Sequence, residues 1–333
     1  MKAVIPVAGS GKKLRPHTHT QPKSLIPVAG NTILGHIIER LQQAGIQDFV
    51  FIIGYLGGKV EAYVKRNYPN IRAEFVVQEP REGLGHALWV ARENFRHEES
   101  MLIMLGDAII DVDMQKILDS PQSVLCVKKV NQPSLFGIIE TDENAFVTKL
   151  VEKPSFPKSN YALVGLYKIA HPEKLAQSLE YIIHEGIKTQ HEYHLTDALA
   201  HLIEHGEKIS TCEVDHWYDC GRKSSLLQTN AILLNRPEFL QAEKPEFPNT
   251  IIIPPVSIGP GCTISNSVIG PNVAIGQNTI IDYTVLQNSI IGEYSELRNT
   301  VMHDSIIGND SSLKGLSHSL NIGDNTEINF SER

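Results

Sequence analysis

Lys12, Lys13, Arg15 and Lys23 lie close together in a stretch, residues 4–30, that also carries Gly9 and Gly11. Glycines let the backbone turn and come near a ligand, while clustered ammonium and guanidinium groups bring positive charge where a polyphosphate would lie. The string is neither of the commonest nucleotide fingerprints. No Lys-Ser/Thr pair follows at P-loop spacing, and the glycines are too few for the dinucleotide pattern. Asp107 follows an apolar run, residues 101–105, and an acid at that place can hold a Mg2+ bridging phosphates. Gln78, after Phe75, Val76 and Val77, offers both a donor and an acceptor, as the imide edge of uracil or thymine requires. No Ser/His/Asp or Cys/His arrangement accompanies these groups, and nothing pairs His191 or His194 with a nucleophile. Asp111 and Asp113 read as exposed rather than ligating. Such an inventory suits a reaction between two bound reactants, with the protein positioning them and neutralising charge.

These groups need elements to hold them. Val4, Ile5 and Val7 suit a strand covered on both faces, and residues 49–53, 73–77 and 101–105 read as further buried strands. Asn31 can cap a helix whose apolar residues are Ile33, Leu34, Ile37, Ile38 and Leu41, with Gly45 as its stop. Residues 60–68 read as a second helix, and a third opens at residues 83–87 and runs through Phe95. Strands alternating with helices imply a parallel, doubly wound α/β sheet. Ligands then sit beyond the carboxyl ends of the strands, where the basic loop, Gln78 and Asp107 all fall. Farther on, Glu152 can accept hydrogen bonds from sugar hydroxyls and Lys153 can bind a phosphate. Helix is expected through about residue 234, and the Pro- and Glu-rich residues 235–250 read as a linker.

Gly11, Leu14, Pro16 and Thr18, followed by Pro22, Lys23, Pro27 and Val28, resemble the signature of the sugar-1-phosphate nucleotidylyltransferases, or nucleoside-diphosphate-sugar pyrophosphorylases. That signature reads Gly-x-Gly-Thr-Arg-Leu-x-Pro-x-Thr and then Pro-Lys-x-x-x-Pro-Val. Here the loop is one residue short between Gly9 and Gly11, and Lys13 stands where the family carries arginine, keeping the charge without the planar fork. The resemblance implies a Rossmann-like doubly wound mixed sheet over residues 1–234. It also implies Mg2+-dependent transfer of a nucleotidyl group from a nucleoside triphosphate to a sugar 1-phosphate. Lys13 and Arg15 would hold the departing pyrophosphate and Lys23 the reacting phosphates. Ala8, Gly9, Gly11, Gln78, Gly83 and Asp107 would bind the nucleotide. Residues 216–221 are similar to the family's Trp-x-Asp-x-Gly element, which makes Asp219 the second metal carboxylate beside Asp107. Gly137, Glu152, Lys153, Asn160 and Gly165 would line the hexose. Residues 83–87 favour uridylyl transfer and residues 159–167 thymidylyl transfer, with glucose the expected sugar. Guanylyl transfer to mannose 1-phosphate is a more distant alternative, and a non-catalytic regulatory subunit that binds nucleotide sugar is another, suggested by the short loop and Lys13.

A chain of 333 residues with net charge −8 is large for one core, and its acidity argues against a general nucleic-acid or membrane-surface binder. No apolar run approaches membrane-spanning length and no charged-then-apolar leader is evident. Cys126, Cys212, Cys220 and Cys262 lack zinc or redox spacing, so free thiols in the cytoplasm are expected.

From residue 251 to about 330 the composition changes. Ile-Gly recurs at Ile258, Ile269, Ile275, Ile291, Ile307 and Ile322, and Ile264, Ile281, Leu286, Leu297, Met302, Leu313 and Ile328 complete steps of five or six residues. Three steps close a triangular coil, giving about four to five coils of a parallel β-helix, and the pattern resembles left-handed hexapeptide-repeat domains. A rigid module for self-association or regulation is the expected role, with a homo-oligomer formed through it. The alternative is acyl transfer, as in bifunctional nucleotidyltransferase/acetyltransferases, for which His303 and His318 are the available bases.

Overall fold

β1 (Lys2–Pro6) runs through the middle of a mixed sheet, and Ala3, Val4 and Ile5 are fully buried there, as apolar side chains on both faces require. The structure is a computed structural model that describes residues 1–237 and 246–315. It divides into two units between Thr229 and Asn230.

In the first unit a hairpin of β2 (Pro27–Val28) and β3 (Asn31–Thr32) leads into α1 (Ile33–Gln43). Thr32, not Asn31, caps this helix: its Oγ1 accepts from Gly35 N at 2.9 Å, while Asn31 Oδ1 takes the Thr32 N–H. The hairpin holds Asn31 in its ladder, so the helix starts one residue later. Gly45 ends α1 at φ +89°. β4 (Asp48–Ile53), α2 (Gly57–Asn67) and β5 (Arg72–Val77) follow. α3 (Leu84–Val90) is shorter than its pattern, because Ala91 leaves the helical region and a 3₁₀ turn over Arg92–Asn94 carries the chain to buried Phe95.

Next come β6 (Met101–Met104), β7 (Ala108–Asp111), α4 (Met114–Leu118), β8 (Ser123–Lys129), β9 (Gly137–Thr141), β10 (Val147–Glu152) and β11 (Tyr161–Ile169). α5 (Pro172–His184), α6 (Leu195–Glu204), β12 (Ile209–Glu213) and β13 (His216–Asp219) complete the run, and the division after Thr229 falls within α7 (Lys223–Leu234). The sheet order is β10-β9-β11-β6-β1-β4-β5, with β8 and β12 extending from β11. β6, β1, β4 and β5 are parallel, and β11 is antiparallel to β6. The doubly wound mixed sheet is therefore the observed fold. β11 slips register between Leu163 and Tyr167, around Gly165 at φ +94°.

In the second unit, β14 (Ile251–Ile252), β15 (Val256–Ile258) and β16 (Thr263–Ser265) form one coil. β17 (Val268–Ile269), β18 (Val273–Ile275) and β19 (Ile280–Asp282) form the next. β20 (Val285–Gln287), β21 (Ile290–Ile291) and β22 (Glu296–Arg298) make a third, and β23 (Val301–His303), β24 (Ile306–Ile307) and β25 (Ser312–Lys314) a fourth. Three parallel ladders join them in the manner of a left-handed β-helix. Ile264, Ile269, Ile275, Ile281, Leu286, Ile291 and Leu297 fill the interior. Asn266, Asn272, Asn278, Asn288 and Asn299 turn corners at positive φ, a conformation asparagine tolerates better than most residues. Leu313 is 38% exposed on the last described coil. Ile322, Ile328 and His318 lie outside the described residues.

Candidate active site

The carboxyl ends of β1, β5 and β6 open into a cavity of about 570 Å³. The backbone after β1 supplies one wall. Val7 N donates to Ile52 O at 2.8 Å, and then Ala8, Gly9 and Ser10 line the cavity. Gly11 turns the chain at φ +61°, and a Cβ there would lie 2.9 Å from Thr18 Cγ2 and 3.0 Å from Lys23 Cβ. Thr18 Oγ1 closes the turn by donating to Gly11 O at 2.8 Å. The loop is thus folded against the segment that carries Lys23.

Lys23 Nζ meets Asp107 Oδ2 at 2.8 Å at the cavity wall, with side-chain exposures of 18% and 52%. Lys12 also lines the cavity, whereas Lys13 and Arg15 are exposed and are not among its lining residues. The reason is local: the 3₁₀ turn Lys12–Leu14 puts Leu14 into the core, so the flanking cations point elsewhere than Lys12 does.

Asp107 is reached by way of Gly106, where a Cβ would collide with the Val7 side chain. The following strand, β7, pairs antiparallel with β13, and Asp219 stands opposite Ala108. Cys220 N donates to Asp107 O at 3.3 Å. This two-stranded ribbon brings the two acids to one end, although Asp219 does not line the cavity itself. Asp219 Oδ1 accepts from Gly221 N at 2.8 Å, and Ser225 Oγ lies 3.4 Å from Oδ2. Asp113, by contrast, caps α4 by accepting from Gln115 N and Lys116 N.

Gln78 and Gly83 lie together at the cavity, with Gln78 Nε2 donating to Gly83 O at 2.9 Å. Gly83 has φ +106°, and its missing Cβ would lie 2.5 Å from Tyr193 O. Gly85 N donates to that same carbonyl at 2.8 Å, and Tyr193 N donates to Glu82 O at 2.8 Å. Through this contact Glu192 joins the cavity wall, as does Arg81 from the turn after Gln78. Sequence reasoning missed both. Arg81 had a signal, since it lies between two residues assigned to one site. Glu192 had none, because its place depends on a main-chain pairing about a hundred residues away.

Gly137, Glu152 and Thr196 form a second cluster, outside the cavity lining. Gly137 is the register partner of Glu152, and a Cβ there would come within 3.0 Å of Glu152 Oε2. Glu152 is held by Thr196 Oγ1 at 3.2 Å, with Lys153 Nζ 3.4 Å and His194 Nδ1 3.7 Å from Oε1. His194 is thus a largely buried neighbour of Glu152. Lys153 adopts φ +42°. Asn160 is exposed, and its carbonyl accepts from Val130 N. Gly165 O accepts from Leu105 N at 2.8 Å, which ties this half of the sheet to the segment leading to Asp107.

The chain belongs to the nucleotidyl transferase family, whose profile matches residues 2–236, and the resemblance to sugar-1-phosphate nucleotidylyltransferases is borne out. Among individual relatives, glucose-1-phosphate thymidylyltransferase of Streptomyces griseus is 28% identical over 319 residues, covering 87% of each chain. The bifunctional protein GlmU of Methanocaldococcus jannaschii is 35% identical over 237 residues, which are 71% of this chain and 55% of the relative, so the chain spans about half of that protein. A crystal structure of a putative glucose-1-phosphate thymidylyltransferase from Bacillus anthracis, in complex with a sucrose, superposes with a TM-score of 0.61 at 26% identity, covering 71% of this chain and 96% of that one.

Proposed function

We propose that residues 1–229 catalyse transfer of a nucleotidyl group from dTTP or UTP to glucose 1-phosphate, releasing pyrophosphate. The observation that carries this reading is the cavity where the glycine loop, Lys12, Lys23 and Asp107 meet, with Asp219 brought alongside by the β7–β13 ribbon. A phosphate oxygen of the sugar phosphate forms the new P–O bond at the α-phosphorus as the bond to the β-phosphate breaks. Both reactive groups belong to the substrates, so the protein needs no nucleophile of its own. Lys23 holds the reacting phosphates in line, and Lys12, which lines the cavity where Lys13 and Arg15 do not, receives the charge of the leaving pyrophosphate. The match along 87% of both chains to a thymidylyltransferase favours dTTP of the two nucleotides.

Asp107 and Asp219 would hold Mg2+. Their oxygens are hard donors, and no third His, Cys, Asp or Glu joins them in a metal-binding group among the described residues. That set suits an ion taking one or two carboxylates and completing its shell with phosphates and water, rather than zinc with its three or four protein ligands. When bound, the ion supplies neutralisation of the triphosphate charge. Pyrophosphate release should be measured with each triphosphate, glucose 1-phosphate and Mg2+. Release with dTTP or UTP is expected, and silence with every triphosphate and several sugar phosphates overturns the reading.

A further inference from the structure

Gln78 is 5% exposed, lines the cavity and is fixed by its main-chain N–H, which donates to Ile53 O at 2.8 Å. Its side chain faces two groups. Nε2 donates to Gly83 O at 2.9 Å and lies 3.3 Å from His86 Nδ1. A main-chain carbonyl can only accept, so the nitrogen end of the amide must face Gly83. The second N–H then goes to His86 Nδ1, which places the imidazole proton on Nε2. Burial depresses the pKa of His86, Lys188 pushes the same way and Glu82 opposes, so the ring is neutral at pH 7 and Nδ1 has a lone pair to offer. The ring is 4% exposed and held beside Trp89 and Tyr193, with centroids at 5.5 and 6.4 Å. With both amide hydrogens committed, the side chain keeps only Oε1 for a ligand. Gln78 therefore offers an acceptor alone, not the donor and acceptor that its chemistry allows in isolation.

We infer that His86 is a positioning residue for base choice: by accepting the second N–H of Gln78, whose amide Gly83 O already orients, it leaves only Oε1 to the nucleotide, so the cavity takes a base with a ring N–H. Uracil, thymine and guanine carry such a group. Cytosine and adenine present an acceptor there and face Oε1 lone pair to lone pair. This rests on the proposed nucleotide site but not on the transfer reaction.

The test is calorimetric binding of UTP, dTTP, GTP, CTP and ATP with Mg2+ to the full chain, alongside turnover. His86→Phe keeps the stacked ring and removes the acceptor. His86→Asn carries an amide oxygen near the place of Nδ1. The intact protein should prefer UTP to CTP by about 100-fold, a discrimination typical of one hydrogen-bonding group that is satisfied or opposed. His86→Phe should cut that preference about tenfold or more through KM and leave kcat with the preferred nucleotide little changed, while His86→Asn should restore it. A folded His86→Phe protein with undiminished preference overturns the inference, as does an intact protein that binds CTP as well as UTP. If His86→Phe does not fold, loss of preference in His86→Asn overturns the inference and retention supports it. Selective binding without turnover on any sugar phosphate leaves the inference standing and removes the transfer reading. Absence of triphosphate binding removes both.

Discussion

Substituting Gly83 with alanine tests the contact that seats the nucleotide end of the cleft. At φ +106° and ψ 176°, Gly83 occupies a region almost closed to side chains, which alone costs about 1–3 kcal/mol. The new Cβ would lie 2.5 Å from Tyr193 O, so that carbonyl must move by several tenths of an ångström. It is also the acceptor for Gly85 N at 2.8 Å, and weakening that bond adds roughly 1 kcal/mol. The sum, about 2–4 kcal/mol, corresponds to a fall in Tm of roughly 5–15 °C for a unit of this size. Gly45→Ala is the matched control. Gly45 has φ +89°, with nothing within 4 Å of its missing Cβ, so it carries only the backbone cost of about 1–2 kcal/mol. Thermal melts of the two variants should differ by several degrees, and only Gly83→Ala should weaken triphosphate binding. Equal melting temperatures, or unchanged triphosphate affinity in Gly83→Ala, would refute the assignment of that carbonyl contact.

Asp107→Asn should lower turnover far more than affinity for the sugar phosphate, and chelation by EDTA should abolish turnover reversibly; retained turnover in either experiment refutes the metal assignment. Glu207 is buried beside His171 Nδ1 at 2.6 Å and Lys174 Nζ at 2.9 Å. Burial alone would raise its pKa, but the two partners outweigh it and the net shift is downward. Its contribution to stability is therefore present above the unfolded value near 4.3 and is lost as pH falls through the lower folded value. Glu207→Gln should lower stability at pH 7 by about 1–3 kcal/mol and flatten the acid limb of a pH-dependent denaturation series; an unchanged limb contradicts the network. In the β-helix, Leu297→Ala should cost about 2–5 kcal/mol in denaturant unfolding, and Leu313→Ala, at a partly exposed position, much less; similar costs contradict the described interior.

Much of this architecture was legible because it depends on period. The amphipathic face of α1 and the five- or six-residue steps of the coils are repeats that water imposes on a sequence, and the strands at 49–53 and 101–105 show as unbroken apolar runs. The errors fall where short-range geometry decides. Asn31 and Thr32 are both good caps, and only the hairpin before them selects Thr32. Lys12 and Lys13 have the same chemistry, and the burial of Leu14 determines which of them lines the cavity. Gln78 could be read as a base contact from its amide, its place after a strand and the family resemblance. That its amide is already half spent depends on His86 and on the φ of Gly83, neither of which a linear pattern reports.

The ribbon that joins Asp107 to Asp219 also constrains how the chain reaches its working state. More than a hundred residues separate the two acids, and closing a loop of that length costs roughly 4 kcal/mol in chain entropy before any contact repays it. Their pairing is a non-local event that follows, rather than nucleates, the parallel strands formed nearby in sequence. A refolding chain should therefore regain its secondary structure well before its two acids meet, and recovery of turnover should lag behind the return of helical signal.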